Sequence, residues 1–248
     1  MEGGFFRNSQ IIILGICIAV ATIVSSVILS GGILKVMKFT REQISVTGSA
    51  TKEIKSDYIV WTGDFSRREP DLKTAYKMLG EDLEKVKAYL KSRGVKDNEK
   101  VFSQVYTETV YKKNEKGNDT NDIQGYTLSQ GVTIRSYDVD RITTVSREST
   151  ELIDQGVQFT SQAPEFFYTK LDELKIEMLA KATDNAKQRA ESMAKATGNK
   201  VGFMRSARMG VFQITPVTST DVSDWGVNDT TALDKKVMAV VTVSFGIE

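Results

Sequence analysis

IIILGICIAV ATIVSSVILS GGIL, residues 11–34, contains no charged side chain, and its reading decides how everything after it must fold. As a helix rising about 1.5 Å per residue, the run reaches about 36 Å, enough to cross a hydrocarbon core about 30 Å thick with some tilt. A buried helix of a soluble protein normally keeps a polar side, and this run has none. The chain therefore divides into a tail (1–10), a transmembrane anchor (11–34), a linker (35–42) and a body (43–248).

Other readings of the run stay open beside the uncleaved anchor. A cleaved signal peptide has an apolar region of about 7–15 residues followed by a small-x-small site. Ala19-Val20-Ala21 fits that local pattern, yet the apolar run continues well past it to Leu34. A lipoprotein-type signal ending at Cys17 fits less well, because Ile16 stands where a small residue is expected. Within the run, Gly15, Ala19, Thr22, Ser26 and Ser30 recur at helical spacing and share one face. Small residues on one face let membrane helices approach closely; equally, the hydroxyls can bond back to carbonyls of their own helix.

The body is long enough for one large domain or two small ones. With Lys plus Arg at 33 and Asp plus Glu at 32, no charge excess speaks for a nucleic-acid partner. Cys17, the single cysteine, lies in the anchor, so the body has no thiol and no disulfide. Charge alone does not orient the anchor: Arg7 opposes Glu2 on one flank, and Lys35, Lys38 and Arg41 stand on the other.

Along the body, Ile44 and Val46 open a strand, and 58–65 reads as a second with Ile59, Trp61 and Phe65 on one face. Pro70 is expected in the first turn of a helix whose stripe is Leu72, Tyr76, Leu79, Leu83, Val86 and Leu90, closed by Gly94. Strands at 101–111 and 126–137 flank a mobile polar tip, 112–124. Asp138 caps a helix to about Gln155, and 157–167 is strand interrupted at Pro164. A long helix follows, with Thr169 and Asp172 as a capping-box-like pair. Its face of Leu174, Met178, Leu179, Ala182, Ala186, Ala190, Met193 and Ala194 reads as core packing or as an interface stripe. Strands at 201–214 and 236–245 enclose a second polar loop, 216–234, with an exposed Trp225. The order β-β-α-β-β-α-β-α-β-β predicts an α+β fold with a mostly antiparallel sheet and three helices after the membrane helix.

The absence of histidine and of a soluble thiol removes His-based catalysis, Ser-His and Cys-His nucleophiles and nearly every zinc site. No phosphate-cradling glycine motif occurs. No catalytic, cofactor-binding or metal-ligating residue is expected, although a pocket of Asp, Lys, Ser and Tyr would still permit acid–base chemistry. Asn118-Asp119-Thr120 and Asn228-Asp229-Thr230 match the glycosylation triplet, a weak signal.

Ile44-Ser-Val-Thr-Gly48-Ser-Ala, Gly125-Tyr126, Tyr137-Asp-Val-Asp-Arg141, the alanine helix 180–198 and Val241-Thr-Val-Ser-Phe245 together resemble the SIMPL-domain family of bacterial periplasmic proteins. Ser56-Asp57 departs from the Pro-Asp often found there. The resemblance implies an inner-membrane, single-pass protein with a cytoplasmic tail (1–10) and its body in the periplasm. It also implies self-assembly, since some members form rings or channel-like oligomers; others are linked to oxidative stress. The expected partners are copies of the chain and the bilayer through 11–34, with no cofactor. Lys113, Asp119, Asp122 and Trp225 are the candidate contact residues of the alternative, a chaperone-like adaptor binding through its two polar loops.

Overall fold

The computed structural model describes residues 3–247, with side chains for 12–37 and 42–247. In chain order the elements begin α1 (Gly3–Arg41), β1 (Gln43–Lys55), β2 (Tyr58–Glu69), α2 (Leu72–Ser92), β3 (Lys100–Phe102), β4 (Tyr106–Lys113) and β5 (Asp119–Ser136). They continue α3 (Val139–Glu148), α4 (Glu151–Asp154), β6 (Gln158–Ser161), β7 (Glu165–Phe167) and α5 (Leu171–Ala196). The last are β8 (Val201–Met209), β9 (Gln213–Pro216), β10 (Val227–Asn228) and β11 (Asp234–Ile247). The α+β class holds, and the strand ladders are mostly antiparallel. Two compact units emerge: Met1–Ala50 with Leu179–Gly210 and Val240–Glu248, and Thr51–Met178 with Val211–Ala239.

The larger unit is organised on β2. Alternate strand residues share a face, so Ile59, Trp61 and Phe65 point one way and are buried, as their spacing predicts. Removing one such large apolar side chain from water is worth about 1.5–3 kcal/mol. β5 lies antiparallel along β2 from Ile59 opposite Ser136 to Glu69 opposite Tyr126 and adds Leu128, Val132 and Ile134 to that face. β3 and β4 extend the sheet beyond β5, and β6 and β7 beyond β2, making six strands. Helices α2, α3 and α4 cover the face with Leu79, Val86, Leu90, Ile142, Val145 and Leu152. Buried in this layer, Asp82 receives two hydrogen bonds from Arg67, whose guanidinium also donates to the Gly156 carbonyl.

In the smaller unit β11 lies between β1 and β8. Hydroxyl pairs Thr47–Thr242 and Ser45–Ser244 cross from β1 to β11, with indices that run in opposite senses as antiparallel strands require. Ala182, Ala186, Ala190 and Ala194 of α5 are buried, as the core-packing reading predicts. A Cβ added at Gly48 of β1 would stand 2.2 Å from the Ala182 carbonyl oxygen and 2.4 Å from the Ala186 nitrogen. Helix and strand thus touch backbone to backbone, and only residues without bulk on both sides allow it. The Ser49 amide donates to Asn185 Oδ1 at 3.1 Å, and Arg189 donates to the Thr47 carbonyl at 3.0 Å.

Several element boundaries differ from the sequence expectation. Pro70 lies outside α2; Asp71 is the N-cap, accepting from the Thr74 amide at 2.8 Å and from its hydroxyl. Leu72 and Tyr76 are exposed, because the buried face runs through Ala75, Leu79, Asp82, Val86 and Tyr89. That face includes the buried Asp82 carboxylate, which an apolar stripe cannot reveal. The strand expected at 101–111 breaks around Ser103, whose hydroxyl accepts the Gly131 amide at 2.9 Å. The helix expected from 139 to 155 divides at Ser149, whose hydroxyl bonds back to the Ser146 carbonyl. Thr169 does not pair with Asp172: its amide and hydroxyl both donate to Asp57. The strand expected at 201–214 is interrupted after Met209. Met193 is exposed and Leu179 only half-buried on α5.

Candidate functional site: a polar cleft and an uncovered strand

A cleft of about 600 Å³ opens in the larger unit where β5 ends and α3 begins. Each wall has a local cause. Asp138 is the N-cap of α3, accepting the Arg141 amide at 3.2 Å, and Arg141 reaches back to its carboxylate at 2.9 Å. Gly94 ends α2 with φ of +74°, a conformation that favours glycine. After it the chain turns through a single 3₁₀ turn, Asp97–Glu99, that brings Glu99 to Arg141 with two contacts at 2.9 and 3.1 Å. The Glu99 carboxylate also accepts the Ser136 hydroxyl at 2.6 Å and the Lys96 amide at 2.9 Å. The Arg141 guanidinium completes the set by donating to the Gly94 carbonyl.

These bonds fix the charge states. The Arg141 hydrogen bond, joined by its own capping bond, holds the Asp138 carboxyl below the usual carboxylate range. Burial pushes the Glu99 carboxyl up, but hydrogen bonds from Ser136, the Lys96 amide and Arg141 outweigh it and leave Glu99 low as well. Across the cleft, Tyr58 and Tyr137 stand edge to face with ring centres 4.9 Å apart, and Tyr137 is 73 % exposed. Lys96, Asn98 and Arg135 complete the lining. A second hollow of about 520 Å³ shares Tyr137 and Asp138 and adds Lys55, Ser56, Asp57 and Asp140. The Ser56 hydroxyl there is buried with no hydrogen-bond partner among the described residues.

No residue of this cleft stood among the candidates read from the sequence. Tyr137-Asp-Val-Asp-Arg141 was the available signal: an N-cap carboxylate followed three residues later by an arginine able to hold it. Of the expected contact residues, Lys113 and Asp119 face each other across the β4–β5 hairpin. The expected loop 112–124 is thus mostly ladder, and the turn is confined to 114–118, where Asn114 Oδ1 accepts the amides of Lys116 and Asn118. Asp122 is an exposed position of β5. Trp225 is 94 % exposed, on a loop pinned by Gln213, which donates to the Ser223 carbonyl at 2.6 Å and accepts the Ser223 amide. Among the described residues no group of three or more Cys, Asp or Glu is placed to hold a metal ion.

In the smaller unit β8 (VGFMRSARM) leaves large apolar side chains uncovered beside Arg205 and Arg208. Met204 and Met209 pair with Phe245 and Val241, both buried, but are themselves exposed, and Phe203 is 81 % exposed. Among the described residues, no strand other than β11 is hydrogen-bonded to β8. Residues 12–37 form one continuous helix long and apolar enough to cross a membrane. On it Gly15, Ala19, Thr22, Ser26 and Ser30 are exposed; Thr22 donates to the Ala19 carbonyl at 2.8 Å, the local reading of its hydroxyl.

A helix fit for a bilayer followed by an α+β body defines a membrane-anchored or periplasmic module. A model of the SIMPL family, described as proteins of unknown function (DUF541), matches residues 44–245, and the chain belongs to that family. No curated protein matches. Among solved structures, an amidase of the hydantoinase/carbamoylase family from Burkholderia phymatum aligns at 10 % identity and a TM-score of 0.28. It covers 52 % of this chain, which spans only 34 % of the amidase. A de novo designed protein, Foldit4, aligns at 20 % identity and a TM-score of 0.19, over 42 % of this chain and 93 % of the design. Neither likeness is close enough to bear on fold or activity.

Proposed function

We propose that the chain is a membrane-anchored subunit of a homo-oligomeric envelope assembly, held in the inner membrane by α1 with its body on the periplasmic side. The observation that supports it is β8, a strand with an open edge that exposes Phe203, Met204 and Met209 beside Arg205 and Arg208. Soluble proteins seldom leave such a strand bare, since it invites pairing with another chain. A second copy is the natural occupant, because anchored copies share one plane and one orientation and meet at high local concentration.

The test is the mass of the full-length protein in detergent, measured by mass photometry with and without Phe203→Glu and Met209→Glu. Both side chains are exposed, so the body should fold unchanged. A multi-subunit particle that the double substitution shifts to smaller species is expected. A monomer at every concentration, or a particle indifferent to the substitutions, overturns the reading.

The exposed Trp225 on its pinned loop favours a second reading, a binding module or adaptor. Large aromatic side chains on rigid supports are the usual anchors of interfaces. If Trp225→Ala, rather than the β8 substitutions, dissolves the particle or a co-purifying complex, the adaptor reading replaces the first.

A further inference from the structure

We propose that the cleft at the end of β5 binds a monoanionic saccharide, its carboxylate held by Lys96 and Arg135 and its ring laid on Tyr137. The inference is independent of self-assembly and rests on the sorting of charge in the cleft. Glu99, Asp138 and Arg141 are already spent on one another, on Ser136 and on backbone groups. They form a rigid frame. Lys96 and Arg135, the remaining cations of the lining, have side chains with no hydrogen bond or ion pair to another described residue. With three cations against two anions, the cleft carries a net charge of about +1, suited to one carboxylate rather than to a nucleotide with two or more charges.

The aromatic pair supplies the second criterion. Tyr58 meets Tyr137 edge to face and steadies its ring, leaving most of that residue open. An exposed, fixed aromatic face accepts the C–H face of a sugar ring. Asn98 and the acceptor sites that Arg141 leaves open on the Asp138 carboxylate line the same cleft and can receive hydroxyl groups. A cavity of about 600 Å³ is roomy for one sugar and admits a linked second.

The experiment is calorimetric titration of the full-length protein in detergent, at low and at raised salt, with five probes: glucuronate, glucose, acetate, inorganic phosphate and AMP. Glucuronate is expected to bind, glucose and acetate each at least about tenfold more weakly, with the glucuronate affinity falling as salt is raised. Lys96→Gln with Arg135→Gln, both exposed positions, should weaken glucuronate by about tenfold or more at an unchanged melting temperature. Lys96→Gln alone should give part of that loss. Tyr137→Ala should weaken glucuronate while leaving acetate as it was. The proposal is overturned if glucose binds as well as glucuronate, if phosphate or AMP binds better, if the variants keep full affinity, or if no probe binds.

Discussion

At the scale of single residues, the larger unit relies on polar groups placed inside apolar layers. Tyr89 is buried, and its hydroxyl donates to the Val145 carbonyl at 3.1 Å. Burial pushes its pKa up to about 12, despite the nearby Arg93 charge that pulls it down. A pKa raised in the folded state means stability that is complete below the unfolded value, about 10, and lost as pH rises from about 10 through about 12. Tyr89→Phe should cost about 1 kcal/mol at neutral pH, the usual worth of one buried hydrogen bond. It should also flatten the decline of stability between pH 10 and 12, as urea melts across that range will read. A variant that keeps the alkaline slope would assign it to another group. Asp82 shows the same theme, since the buried carboxylate is met by two bonds from Arg67 and by Lys85 at 3.7 Å.

At the scale of elements, the contact of α5 with β1 depends on the absence of side-chain bulk. Gly48→Ala would drive a Cβ into the backbone of Ala182 and Ala186. Overpacking of this kind costs about 1–3 kcal/mol or more. The expected outcome is a lowered thermal midpoint and faster amide exchange in 43–50 and 179–196; an unchanged protein would mean that strand and helix do not approach so closely. The alanine helix and β2 were legible in the sequence because each repeats one period over many residues. The break at Ser103 and the division at Ser149 were not, because there a side chain replaces a backbone partner without disturbing the apolar pattern. The cleft was illegible for a different reason. Glu99 and Arg141 are 42 positions apart, and neither sits in a pattern that points to the other until the sheet is assembled.

At the scale of the molecule, the anchor either contributes to assembly or merely tethers it. If the face of Gly15, Ala19, Thr22, Ser26 and Ser30 turns toward neighbouring anchors, Gly15→Leu with Ala19→Leu should loosen the membrane part while the body still associates. Full-length protein should then show a larger subunit number or a higher thermal midpoint than a chain beginning at Lys38, measured in the same detergent. One shared subunit number and one shared midpoint would make α1 a tether only.

The threading of the chain through its two units also bears on how it is made. Neither unit is a continuous stretch: each is interrupted by the other, and β11 contributes to both. Thr47 finds its cross-strand partner Thr242 only 195 positions later. At about 5–20 residues per second, a ribosome needs about 10–40 s to bridge that gap. For all of that interval the apolar helix is available to the bilayer while β1 waits with an open edge; β8, made near its end, waits only briefly for the strand between them. The smaller unit therefore closes late, only once β11 is made, whereas most of the larger unit's core is already in the chain by Phe166.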